Sequence, residues 1–181
     1  MQIRETGVPG LRILIPKVHK DHRGFFLESF REEFFQRLDE PIRFVQDNHA
    51  RSEAAGVLRG LHYQASPAAQ TKLVWVSRGA AFDVAVDLRR SSPTYGQSYG
   101  LVLTSGNFLR LLIPKGFAHG YMTLEPGTEF HYKVDHYYSP EDEGGLRWND
   151  PALKIDWPQS EPIMTERDKN WPLLADLPAI F

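Results

Sequence analysis

The chain contains no cysteine among its 181 residues, which excludes disulfide cross-links, thiolate metal sites and cysteine nucleophiles. It has no long apolar run either. The N-terminal stretch MQIRETGVPGLRILIPK breaks its apolar positions with charges, glycine and proline, so it reads as neither a signal segment nor a membrane span. An excess of one charge is also missing. Lysine plus arginine number 21 against 23 acidic residues, and the net charge of −2 argues against a nucleic-acid or membrane partner. Any anionic ligand must then be held by a few placed arginines and lysines. Histidines are present, but no His-x-His pair occurs. His62 and His119 lie far apart, and His19, His22, His49, His131 and His136 sit in polar, turn-like or strand-edge surroundings, so the expectation is no bound metal. A soluble cytoplasmic protein is the default reading.

Many short apolar runs are present, bounded by Gly, Pro, Asp or Asn: LRILIP, GFFLESF, IRFVQDN, VLRGLHY, TKLVWVSRG, AAFDVAVDLR, YGLVLTSG, FLRLLIP, GYMTLEPG and EFHYKVDHYY. Short strands with turn punctuation predict an all-β sandwich or barrel. AAFDVAVDL alternates strictly: Phe82, Val84 and Val86 face the core, while Asp83, Ala85 and Asp87 face solvent or a polar pocket. One helix is expected, over FREEFFQRL, where Phe30, Phe34, Phe35 and Leu38 form an apolar stripe that packs on the outside of the β body. Beyond Ser139 the chain turns Pro- and Asp-rich, predicting an irregular C-terminal wrap. No repeat or linker divides it, and a single domain over residues 1–181 is expected.

The run GVLRGLHYQ sets Arg59 and His62 inside an apolar, glycine-punctuated stretch that reads as a buried strand. Burying such groups costs several kcal/mol unless they are paired, by about that order, so the position needs a reason. His62 admits three readings: metal ligand, satisfied core histidine, or general base. With Arg59, Gln64 and Lys72 around it, a pocket for a phosphorylated or carbonyl substrate is the better explanation. There the arginine holds an anion, the lysine faces developing negative charge and neutral imidazole removes a proton. Lys72 taken alone could equally be a solvated strand end. For Arg23 and Glu28 in DHRGFFLE an exposed salt bridge is the ordinary explanation. VQDN could be a hydrogen-bonding strand end or a turn. HYKVDHYY reads as cross-strand packing or as a source of a proton-donating tyrosine. Asp168 in TERDKN reads as a helix cap or a solvated charge.

Taken together, DHRGFFLE, QDN, GVLRGLHYQ, QTKLVWVSRGAAFDVAVDLRRSSPTYG, IPKGFAHGY, the Y-x5-Y-x-P-E segment, WNDP and the final ERD resemble the dTDP-4-dehydrorhamnose 3,5-epimerase family over nearly the whole chain. The resemblance implies a double-stranded β-helix, that is a jelly-roll, cupin-like barrel. It also implies a homodimer and catalysis without metal or cofactor on a dTDP-4-keto-6-deoxysugar. Matched residue by residue, it makes His62 the general base, Asp168 its acidic partner, Lys72 the enolate-stabilising cation and Tyr132 the proton donor. Arg23, Glu28, Gln46, Asn48, Arg59, His119 and Glu143 match nucleotide-sugar binding positions, and Phe26 or Tyr138 is the candidate for stacking on the base. The family usually reads Ser-x-Lys-Asp near its end; this chain has Thr165, Glu166, Arg167 and Asp168, so Arg167 keeps the charge with a different geometry. Tyr121 stands where pocket residues bear on product choice.

The implied chemistry suits these residues. Both C3 and C5 of a 4-ketohexose flank the carbonyl, so a base on one face and an acid on the other can invert either centre through an enolate. A single-centre epimerase is the nearest alternative, since the residues quoted serve both outcomes. A non-catalytic sugar-nucleotide binding module and a metal-dependent cupin enzyme are more distant rivals.

Overall fold

Alternating apolar runs separated by turn residues fold into a β architecture whose strand ladders are all antiparallel; the structure, a computed structural model, describes residues 1–181. In chain order the strands are β1 (Gln2–Glu5), β2 (Arg12–Ile15), β3 (Val18–Asp21), β4 (Gly24–Leu27), β5 (Gln46–Ser52), β6 (Leu58–Gln64), β7 (Lys72–Arg78) and β8 (Ala80–Asp87). They continue with β9 (Ser98–Thr104), β10 (Arg110–Ile113), β11 (Phe117–Thr123), β12 (Thr128–Val134) and β13 (Glu143–Gly145). The helices are α1 (Glu32–Gln36) and α2 (Glu166–Lys169), with 3-10 turns at Pro151–Leu153 and Leu174–Asp176. No helix is long and apolar enough to cross a membrane.

Two sheets face each other as a jelly-roll barrel. One runs β1-β2-β10-β7-β12-β5 and the other β13-β6-β11-β8-β9, while β3 and β4 form a separate hairpin. The core between the sheets joins Val74, Val76, Leu111, Ile113 and Phe130 of the first to Ala81, Ala85, Leu103, Phe117 and Tyr121 of the second. Burial of this apolar surface is the main stabilising term.

Both faces of β8 are interior, which rules out the solvent alternative for the Asp83 face and leaves the polar-pocket one, since Asp83 holds the cavity-lining His119. Phe82, Val84 and Val86 do pack in a core, but it lies outside the barrel, where the C-terminal wrap brings Leu146, Leu153, Trp157 and Leu177 against them. Asp83, Ala85 and Asp87 look inward and are fully buried. Asp87 is satisfied by Arg89, Ser92 and Thr94. The wrap decides this, because alternation alone cannot say that a distant segment will cover the outer face.

The expected helix is shorter than its apolar stripe. Arg31 is extended and supplies no side-chain cap, and α1 makes little more than one turn. The stripe still packs as expected: Phe30 stacks on Phe35, Phe44 meets Phe35 edge-on, and the cluster covers Leu14, Leu73 and Leu112 on the outer face of the six-stranded sheet. Likewise, IRFVQDN is not a strand along its length. Ile42 and Phe44 join the Phe35 cluster, and β5 begins only at Gln46, continuing through the polar HARS segment as a sheet edge.

Candidate active site

Gly60, with φ of +136°, sits where β6 crosses closely over β11: a Cβ there would lie 2.5 Å from the Gly120 Cα. The register between the strands shifts at this point, so His119 lies opposite His62 while Tyr121 lies opposite Arg59. Arg59, His62, His119 and Tyr121 all line one cavity of about 740 Å³. Arg59 is exposed rather than buried, so its charge costs little. It opens into the cavity and needs no partner within the chain.

His62 Nε2 lies 2.6 Å from Asp168 Oδ1. The pairing depends on the chain crossing back over the barrel. Ile163 bridges to Val57, with Leu58 N donating to the Ile163 carbonyl at 2.9 Å, and Thr165 then caps α2 by accepting from Asp168 N. Asp168 is thus neither cap nor solvated charge. Its neighbour Trp171 donates Nε1 to the same Oδ1 at 3.3 Å and packs edge-on to His62. Burial pushes the Asp168 carboxyl up, but the His62 and Trp171 hydrogen bonds outweigh it and hold the group below the usual carboxylate range. The dyad has the geometry of an oriented general base.

The opposite wall comes from the six-stranded sheet. Tyr132 points inward from β12, and burial raises its hydroxyl above the ordinary phenol value, so it remains protonated as a donor. Lys72, at the start of β7, is 8% exposed and reaches across to donate Nζ to the His62 carbonyl at 3.3 Å. Burial lowers its pKa to about 8, against the opposing pull of Asp83 and Glu143. His119 Nε2 is held 2.8 Å from Asp83 Oδ2, both side chains buried, which leaves Nδ1 as its available ring nitrogen. At the mouth, Glu143 on β13 accepts from Tyr138 at 2.6 Å and pairs with Arg167, whose guanidinium lies over Trp171.

Gln46 and Asn48 face inward on β5 beside Tyr132 but do not line the cavity. Gln46 is engaged by Asn48 and by the Tyr138 backbone, and Asn48 Nδ2 is buried without a partner. Arg23, Phe26 and Glu28 lie apart from the cavity of their own chain. Arg23 and Phe26 belong to the β3–β4 hairpin, where Arg23 pairs with Asp21; Glu28 follows it and pairs with Arg31. The exposed-salt-bridge reading therefore describes both charges, each with a local partner. Phe26 is 71% exposed.

Asp83 and Trp171 were not among the expected site residues. Asp83 had a signal, an acid on the alternate face of a strand; Trp171 had none in sequence. The structure also brings together His49, Glu129 and His131 on the outer face of β5 and β12, away from the cavity. The two imidazoles stack 4.0 Å apart and nearly parallel, so their in-plane lone pairs do not converge on a common point.

A family model described as dTDP-4-dehydrorhamnose 3,5-epimerase matches residues 5–176. The chain belongs to this epimerase family. The dTDP-4-dehydrorhamnose 3,5-epimerase of Salmonella typhimurium is 48% identical over 176 residues, 96% of each chain. Among solved structures, the dTDP-6-deoxy-D-glucose-3,5-epimerase of Legionella pneumophila, in complex with dTDP-4-keto-L-rhamnose, is 46% identical with a TM-score of 0.93, covering 98% of this chain and 95% of that one. A dTDP-4-dehydrorhamnose 3-epimerase of Streptomyces niveus is more distant, at 36% identity over 97% of this chain and 85% of the relative. The family's members are sugar-nucleotide isomerases, and the jelly-roll expected from sequence is the fold they share.

Proposed function

We propose that the protein epimerises C3 and C5 of dTDP-4-dehydro-6-deoxy-D-glucose, giving dTDP-4-dehydro-L-rhamnose. The observation that carries this reading is the placement of the His62–Asp168 dyad and Tyr132 on opposite walls of one cavity, with Lys72 between them. Neutral His62 removes the proton from C5 or C3, and the C–H electrons move onto the C4 carbonyl oxygen as an enolate. Asp168 stabilises the resulting imidazolium. The Lys72 ammonium and His119 balance the oxyanion, the interaction that gains most in the transition state. Tyr132 then delivers its proton from the other face, inverting the carbon.

Arg59 anchors the diphosphate and Tyr138, Glu143 and Arg167 form the nucleotide end at the cavity mouth, with Gln46 behind them holding the Tyr138 backbone, so remote binding energy holds the ring for proton transfer. Arg23, Phe26 and Glu28 complete the cavity of a second copy in a homodimer. The exposed Phe25 and Phe26 of the hairpin and the open edge of β5 support this assembly. The enzyme works in the cytoplasm.

Incubation with dTDP-4-keto-6-deoxyglucose in D2O, followed by NMR, tests the reading. Deuterium at both C3 and C5 is expected. Incorporation at one carbon alone makes the protein a single-centre epimerase, and at neither carbon overturns the catalytic assignment.

A further inference from the structure

Trp171 does not line the cavity, but its indole is fixed against His62, Arg167 and Asp168, which do. The backbone is held first. Arg147 donates its Nε to the Trp171 carbonyl at 3.0 Å and its backbone N to the Pro172 carbonyl at 2.8 Å. The ring then lies on Gly145, where a Cβ would stand 2.3 Å from the indole, so only glycine leaves this seat open. Gly145 is also the residue that faces His62 across β13 and β6. Arg167 covers the ring, its guanidinium 4.9 Å from the centroid.

A ring locked in this way presents one polar atom, and an indole N–H can only donate. It donates to Asp168 Oδ1 at 3.3 Å, the same oxygen that lies 2.6 Å from His62 Nε2. Burial pushes the Asp168 carboxyl up, and the indole adds to the His62 hydrogen bond in holding it ionised against that push. The second donor also fixes the rotation of the carboxylate, so that Oδ1 meets the imidazole. An ionised Oδ1 accepts from both partners, which puts the His62 proton on Nε2 and leaves Nδ1 as the base. Packing alone does not require the N–H, because a phenyl ring would fill the same seat.

Resting on the epimerase reading, we propose that Trp171 is a positioning residue for proton abstraction: its Nε1–H orients the Asp168 carboxylate and, through it, the His62 ring, without contact to the sugar nucleotide. Its effect falls on the chemical step and not on ligand binding.

Trp171→Phe keeps an aromatic ring on Gly145 and under Arg167 and deletes the donor. Its kcat for dTDP-4-keto-6-deoxyglucose is expected to fall about 10-fold, with KM and the calorimetric dTDP affinity unchanged. In an Asp168→Ala background, where the indole has no carboxylate to orient, the same substitution should cost nothing further. NMR titration of the Asp168 carboxyl carbon should move to higher pH in Trp171→Phe. Equal losses of kcat in both backgrounds, or a fall in dTDP affinity that tracks the fall in kcat, would make Trp171 a structural support of the whole site and overturn the proposal. An unmoved Asp168 titration would overturn it too, by removing the hydrogen bond. A wild type that exchanges no sugar proton in D2O would remove the epimerase reading, and this role with it, while the carboxyl titration, which needs no substrate, would still report the bond.

Discussion

His62 Nε2 and Asp168 Oδ1 stand 2.6 Å apart although 106 residues separate them in the chain. The contact joins a barrel strand to a one-turn helix that reaches it only because Ile163 is tied to the Gly56–Leu58 segment. It turns a half-buried imidazole into an oriented base.

Replacing His62 by Asn should lower turnover by about 10²–10⁴-fold, the share a positioned general base supplies. Asp168→Asn keeps a hydrogen-bond partner but removes the charge that stabilises imidazolium, and a comparable loss in kcat is expected, with dTDP affinity preserved. Because the Asp168 carboxyl is held below its ordinary range, its stabilising contribution is complete above the unfolded carboxylate pKa and disappears as pH falls through the folded value. Acid unfolding of Asp168→Asn should therefore be shallower than that of the wild type. Steady-state kinetics and pH-dependent melting check these outcomes.

Tyr132→Phe should separate exchange from inversion. With His62 intact, C3 and C5 still lose their protons and regain solvent deuterium from the same face. Inversion falls by about 10²-fold or more, because no acid stands opposite. NMR of the recovered sugar in D2O would show deuterium with retained configuration; inversion at the wild-type rate would remove Tyr132 as the donor.

Lys72 should make activity and stability respond to pH in opposite directions. Its pKa lies at about 8, lowered from 10.5 by burial, so the ammonium that supports the enolate is lost as pH rises through 8 and kcat falls. In the same rise the unfolded chain holds a proton that the folded one has released, so the stability attributable to this group increases up to its unfolded pKa. Lys72→Met should melt at a higher temperature, the removed penalty being on the order of 3 kcal/mol, while losing most of its kcat. Thermal melts and a pH profile of the variant against the wild type decide this.

Subunit mixing tests the hairpin assignment. Arg23→Ala and His62→Ala homodimers should each be nearly inactive. If the hairpin serves the neighbouring site, random exchange of the two variants restores about a quarter of the wild-type sites, since half of each mixed dimer is intact. No recovery on mixing would return Arg23 to a role in its own subunit.

Local pattern alone determined the all-β class, most strand positions, the outward packing of the Phe30–Leu38 stripe and the inventory of a base, a cation and tyrosine donors. These are readable because side-chain alternation and turn chemistry act over a few residues. Motif resemblance added which histidine, lysine, tyrosine and aspartate belong together. Tertiary structure decided the rest. It made both faces of β8 interior by folding the C-terminal wrap over one of them, started β5 at Gln46, and gave His119 its Asp83 partner. It brought Trp171 to the dyad and left Arg23, Phe26 and Glu28 outside the cavity of their own chain. Each of these depends on which distant segments pair or cover one another, a choice set by burial across the whole fold and invisible to any window along the sequence.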